Sequence, residues 1–418
     1  MCTRLVVACL LPVLVIGCGG SDSSPVSSGS ETASLEPSSQ RGPVTASIRT
    51  ADSSGTPDGG NTGAARLVVE EQDPIRQKLN EIQQLRVSAA DGSDPNNAIV
   101  LRATEVLKLT MQDASRQEEF LEAIRQLLQA RMQLALAGGQ EEIELLYSDV
   151  RALSERDENS AAAAEGIYYL ARFAHTKGRQ LRQRNLEWYV DFSRWAREFA
   201  QRFPEQKERS LSLLFGAGRS CEMNAAKADD DEMSARLRAE AKLCYFMLFE
   251  HWSEESQGQE AAAVLRRFNL PGKELSQFSG QCLDGTHVTA KQLPGKITLI
   301  YFWDSGNGEF AEGWVPDLKN VESKLGPERI RFIGVNLDED RQTCEAEVSR
   351  LELPGDQIFS DDENTRGWNS PLVRFWGVSQ SPSVWLVAAD GIVDAVDLRK
   401  PELIPHLRAL LQARSGSQ

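Results

Sequence analysis

No two of the seven cysteines in this 418-residue chain stand at CxxC spacing. None of its four histidines, His175, His251, His287 and His406, pairs with another at ligand spacing. Zinc sites are built from such clusters, so the pattern argues against a metal. Positive charge is also short: 46 basic residues against 61 acidic ones leave a net charge of −15. Nucleic-acid binding needs a basic footprint on the phosphates, and an electrostatic grip on anionic lipid needs one too, so neither is expected. The excess acid is in keeping with simple solubility. GxSxG, Walker and GxGxxG phosphate loops are all missing, and nothing in the motifs calls for a small-molecule cofactor.

At the N-terminus, Arg4 precedes a twelve-residue apolar run, Leu5 to Ile16. That length is too short for a spanning helix and suits the apolar core of a signal peptide. The run ends in Val15-Ile16-Gly17-Cys18, which resembles the bacterial lipobox, with Val in place of Leu at its first position. The resemblance implies that residues 1–18 are a lipoprotein signal and that Cys18 carries the membrane lipid, with Cys2 and Cys9 discarded. It further implies a lipid-anchored, periplasm-facing protein of the bacterial envelope. Gly19 replaces the acidic residue that retains some lipoproteins at the inner membrane, which points to the outer one. Residues 19–65 are rich in Ser, Gly, Thr and Pro and too poor in large apolar side chains to offset ordering entropy, so they read as a disordered tether.

From 66 to 270 the periodicity is helical. Pro74 after Asp73 reads as a helix start, and Ser115-Arg116-Gln117-Glu118 as a capping box. Gly138-Gly139 and Gly178 punctuate helices. Trp188, Phe192, Trp195 and Phe199 recur at helical spacing and are expected in the core of a hairpin. WAREFAQRFPE near 195–205 is echoed by YFMLFEHWSEE near 245–255, a weak resemblance to tetratricopeptide helical pairs with too long a period. The fold expected here is an α-helical hairpin array. Cys221 and Cys244 are placed on adjacent helices, where buried thiols or a disulfide are both open.

After residue 270 short strands alternate with helices, which implies an α/β unit spanning 271–418. FSGQCLDGTHVTA reads as a hairpin turning at Asp284-Gly285, Lys296–Trp303 and 329–338 as buried strands, and 312–325, 341–351 and 401–413 as helices. SPSVWLVAADGIVDAVD gives two strands about Asp390-Gly391. CLDGTHVTAKQLPGKITLIYFWDS, FIGVNLDED and WGVSQSPSVWLVAADGIV together resemble the thioredoxin-fold domains of the TlpA/redoxin type, over about the last third of the chain. The resemblance implies a mixed central sheet flanked by helices, thiol–disulfide oxidoreductase activity, and a cis-proline beside the active site at Ser381-Pro382-Ser383.

The same resemblance places a Cys-x-x-Cys pair three residues after Phe-Trp, where the first thiolate attacks and the second resolves. Counting forward from Phe302 puts the pair on Asn307 and Phe310; counting back from Pro316 puts it on Gly308 and Ala311. The loop carries one extra residue, and neither count meets sulfur. Asn307, Gly308, Glu309, Phe310 and Ala311 supply no thiol, and the Glu309 carboxylate cannot exchange disulfides. Cys282 and Cys344 lie elsewhere and read as inert small hydrophobes. Asp338-Glu339-Asp340 and Asp361-Asp362-Glu363 read as solvated loops ending in caps. The expectation is a degenerate active site whose groove, with the Ser381 backbone as a pairing edge, binds an envelope protein or peptide. The competing expectation is a thiol-disulfide oxidoreductase or antioxidant redoxin using Cys282, Cys344 or a partner's thiols.

Overall fold

The computed structural model describes residues 73–88 and 94–415. The lipobox, Cys18 and the tether lie outside them. Helices α1 (Pro74–Ser88), α2 (Asn96–Thr110), α3 (Gln117–Ala137), α4 (Gln140–Arg156), α5 (Ala161–Leu181), α6 (Glu187–Arg202), α7 (Lys207–Ala225), α8 (Asp231–Trp252) and α9 (Ser256–Phe268) form the first region. Consecutive helices pack together, and α3 also meets α5 while α6 meets α8, the pattern of stacked hairpins. Two apolar clusters fill the array, one centred on α1–α5 and one on α5–α9. Phe192 and Phe199 are buried in the second, with Trp188 and Trp195 packed against it. Each such phenylalanine contributes about 1.5–3 kcal/mol by leaving water.

Two local readings are corrected. Ser115 does not cap α3; its backbone N–H and hydroxyl donate to Asp113 Oδ1 at 2.9 and 2.6 Å, so Asp113 caps the short 3-10 turn leading into the helix. Gly178 does not end a helix. It lies inside α5, where a Cβ would come within 3.1 Å of the Tyr189 ring. There glycine serves close packing of α6 on α5.

The second region opens with a hairpin, β1 (Ser279–Gln281) and β2 (His287–Thr289), turning through Gly285 at φ +83. Five strands then form a mixed sheet: β3 (Ile297–Trp303), β4 (Ile330–Asn336), β5 (Asp356–Ile358), β6 (Ser383–Val387) and β7 (Val393–Ala395), in the order β5-β4-β3-β6-β7. β3, β4 and β5 are parallel, and β6 and β7 run antiparallel to their neighbours. Helices α10 (Val315–Leu325), α11 (Arg341–Leu351), α12 (Pro371–Trp376) and α13 (Lys400–Ser415) flank the sheet. Side chains alternate along β3: Ile297, Leu299, Tyr301 and Trp303 join the core with α10, α11 and α13, while Ile300 and Phe302 join the core with α12 and the hairpin. This is the α-helical hairpin array followed by a thioredoxin-like α/β domain. Both sheet edges are covered. Residues 272–274 pair with the β7 edge, and the hairpin pairs with β5 through Leu283 N–H to the Gln357 carbonyl at 2.9 Å.

The two regions are joined by a buried ionic knot. Arg267, in the last turn of α9, is fully buried. It pairs with Glu222 of α7 and with Asp397 at 2.9 Å, the latter an ion pair off the hydrogen-bond line, and donates to the Gly377 carbonyl. Burial works against its charge, but the Asp397 and Glu222 carboxylates outweigh that and hold the guanidinium pKa above its ordinary value. Gly377 closes α12 at φ +57, and a Cβ there would lie 2.5 Å from the Val264 nitrogen, so α12 can approach the α9 backbone only through glycine. Removing one partner of a buried pair leaves uncompensated charge. Arg267→Ala is therefore expected to lower the unfolding free energy by about 3–5 kcal/mol in urea titrations. A loss below about 1 kcal/mol would show that the knot contributes little to stability.

Candidate functional site: the loop beside Pro382

β3 ends at Trp303, and residues 304–308 turn the chain into a π-helical segment, Glu309–Trp314, which runs on into α10. A π-turn accommodates one residue more than an α-turn. It absorbs the single residue by which the two sequence counts disagree.

Asn307 organises the loop. Its Nδ2 donates to the Ser381 carbonyl at 2.6 Å, and its Oδ1 accepts from the Phe310 N–H at 3.1 Å. Phe310 is buried between the Tyr301 and Trp303 rings, with centroids 5.7 and 5.5 Å away. Gly308 and Glu309 are exposed, and Ala311 is half-buried. Asp338 braces the other side of the loop, accepting from the Ser305 N–H at 3.0 Å, the Ser305 hydroxyl at 2.9 Å and Asn336 Nδ2 at 2.7 Å. Asp340 caps α11 through the Thr343 N–H at 2.7 Å, and Asp362 caps the turn at Asn364. Among the described residues no group of His, Cys, Asp and Glu is arranged to hold a metal.

The Ser381–Pro382 peptide is cis, and both residues are half-buried. Ser383 is buried; its hydroxyl donates to Asp397 Oδ1 at 2.6 Å and accepts from Trp385 Nε1 at 2.9 Å. The Ser379 hydroxyl donates to Glu222 Oε1 at 2.7 Å, and its carbonyl accepts from Arg219 at 3.1 Å. The 379–383 segment is thus held on one side by Asn307 and on the other by α7 and Asp397. The Ser381 carbonyl, expected as a pairing edge, already has an internal donor in Asn307. Sequence reasoning missed Arg219, Glu222, Arg267 and Asp397. Arg219 and Glu222 share α7, but Arg267 and Asp397 lie far along the chain, and nothing in their local sequence marks them.

The four described cysteines are free and buried. Burial raises every one of their pKa values. Cys344 is pushed from 9.0 to about 12, with the Asp338 and Glu345 carboxylates adding to the effect, and Cys244 to about 11, partly offset by the Ser193 hydroxyl. Cys221 and Cys282 move in the same direction. A thiol at 12 has roughly a thousandth of the thiolate of one at 9 near neutral pH, and only the thiolate attacks. Native alkylation at pH 8 is expected to leave all four unmodified until denaturant is added, as read by mass. Fast native labelling of Cys282 or Cys344 would contradict this. Because folding raises these pKa values, their contribution to stability is complete below about pH 9. It falls as pH climbs toward 12, where the unfolded chain ionises first.

Solved structures similar to the chain cover its C-terminal third. They include a thiol-disulfide oxidoreductase from Bacteroides fragilis, at 21% identity over 33% of this chain and 99% of that one, with a TM-score of 0.30. The thioredoxin domain of a thiol-disulfide oxidoreductase from Bacteroides vulgatus matches at 18% over 33% and 96%, TM-score 0.30. DsbF of Mycobacterium tuberculosis matches at 26% over 32% and 96%, TM-score 0.28. No protein-family model matches the sequence, and no curated protein is similar to it. The thioredoxin-like assignment therefore rests on the strand order and register of the sheet.

Proposed function

We propose that this chain is an envelope lipoprotein, anchored through Cys18, whose thioredoxin-like domain captures an extended peptide or partner protein and exchanges no disulfides. One observation carries the reading: an amide side chain, Asn307, stands beside Pro382 and is bonded to the Ser381 carbonyl. A carboxamide has neither the nucleophile nor the leaving group that thiol exchange needs. Cys344 and Cys282 do not substitute for it, since both are buried with raised pKa values.

On this reading Asn307 is also an internal competitor for the partner. A strand that adds to residues 381–383 must displace Nδ2 from the Ser381 carbonyl before using that carbonyl itself. Asn307→Ala removes the competitor along with a cap to the Phe310 N–H, at a cost of about 1–2 kcal/mol in stability.

The names of the similar structures support the competing assignment, thiol–disulfide oxidoreductase, and one assay separates the two. The full chain is expected to show no insulin-disulfide reduction above background, while Asn307→Ala binds immobilised extended peptides more tightly than the parent. Insulin turnover abolished by Cys282→Ser or Cys344→Ser would overturn the proposal. So would peptide binding that ignores the state of residue 307.

A further inference from the structure

The acidity of the chain is uneven. Between Glu165 and Glu187 there is no Asp or Glu, yet Arg172, Lys177, Arg179, Arg182 and Arg184 all fall there. This stretch forms most of α5 and the turn into α6. Where it meets the end of α7 lies an open concavity of about 710 Å3, walled by Arg182, Arg184 and Lys227 with Gln180, Tyr189 and Asn224. No carboxylate lines it.

Most acidic side chains close in sequence already have partners; Asp229, exposed two residues after Lys227, has none among the described residues but does not line the opening. Glu187 pairs with Arg236 at 2.6 Å and Asp191 with Arg194 at 2.9 Å. Asp230 caps α8 by accepting the Met233 N–H at 2.8 Å, and Asp231 pairs with Arg399. Among the described residues, no ion pair joins a carboxylate to Arg182, Arg184 or Lys227, in a molecule where most buried arginines are paired. Arg182 sits at φ +50, a backbone region sparsely used by residues other than glycine. The Tyr189 ring, packed on Gly178, fixes one wall.

Cations at a helix C-terminus complement its dipole, and α5 ends here. That accounts for a cation on α5, but not for Lys227 facing the same space from beyond α7. Two guanidiniums and an ammonium around one opening, with neutral amides beside them, match a tetrahedral oxyanion carrying two charges better than a single carboxylate. The net charge of −15 repels anions at long range, so recognition here depends on short-range contact. We propose that the concavity formed by Arg182, Arg184 and Lys227 binds a phosphate group. Its source is either an anionic phospholipid headgroup or a soluble phosphorylated ligand. The inference is independent of the peptide-capture reading.

All three side chains are exposed, so glutamine can replace them without disturbing the core. The full chain is titrated with inorganic phosphate by calorimetry, and separately with vesicles of phosphatidylglycerol and phosphatidylcholine against vesicles of phosphatidylcholine alone. The parent is compared with the combined Arg182→Gln, Arg184→Gln, Lys227→Gln variant. A second variant, Lys324→Gln, Arg329→Gln, Arg408→Gln, makes the same change of charge at exposed positions elsewhere. The first variant is expected to weaken phosphate binding, phosphatidylglycerol-dependent vesicle binding, or both, by at least about tenfold, and the second to leave them unchanged. Loss confined to vesicles assigns a headgroup, and loss confined to inorganic phosphate assigns a soluble ligand. Equal weakening in the two variants, or no binding by the parent in either arm, overturns the proposal.

Discussion

The architecture depends on one buried cation. Arg267 is withdrawn from water at the junction of the helical array and the sheet, and two carboxylates from different parts of the chain meet it there. A guanidinium without those partners would be too costly to bury; with them it ties α7, α9, the end of α12 and the 379–397 region into one arrangement. Glu222 extends the knot, accepting from both the Tyr245 and Ser379 hydroxyls, and Asp397 extends it to Ser383. The residues on either side of Pro382 are therefore positioned as much by the helical array as by their own sheet.

This has a consequence for chemistry. The loop after β3 and the segment around Pro382 face each other across one hydrogen bond. Here both are committed. Asn307 bridges them, Asp338 braces the loop from below, and Arg219 and Glu222 hold Ser379 from the array. Asn307 holds the loop with hydrogen bonds, and burial raises the pKa values of the described thiols. The sheet is held by apolar packing on both faces of β3.

Much of the plan was legible in sequence, for physical reasons that differ by element. The buried strands β3 and β4 were plain because both faces of a central strand are apolar, and α11 was marked by Asp340 at its cap. β5 and α12 were not read. One is three residues long and the other six, too short for periodicity to show against flanking glycine and proline. The one-residue ambiguity in the 304–311 loop could be counted but not resolved, since a π-turn has no sequence signature of its own. The Arg267 knot was invisible because Glu222 stands 45 residues before Arg267 and Gly377 110 after it, and they become partners only after folding. Gly178 misled because a glycine admitting a ring in mid-helix looks the same in sequence as one that ends a helix.

On the proposed reading, this chain keeps a thioredoxin-like architecture without electron exchange. The most direct measurement is an equilibrium redox titration of the full chain across glutathione buffers, with thiols trapped by alkylation and assigned by mass. Cys221, Cys244, Cys282 and Cys344 are expected to stay reduced and untitratable at every poise while the protein is folded. A reversible two-electron transition assigned to any pair of these four would contradict it.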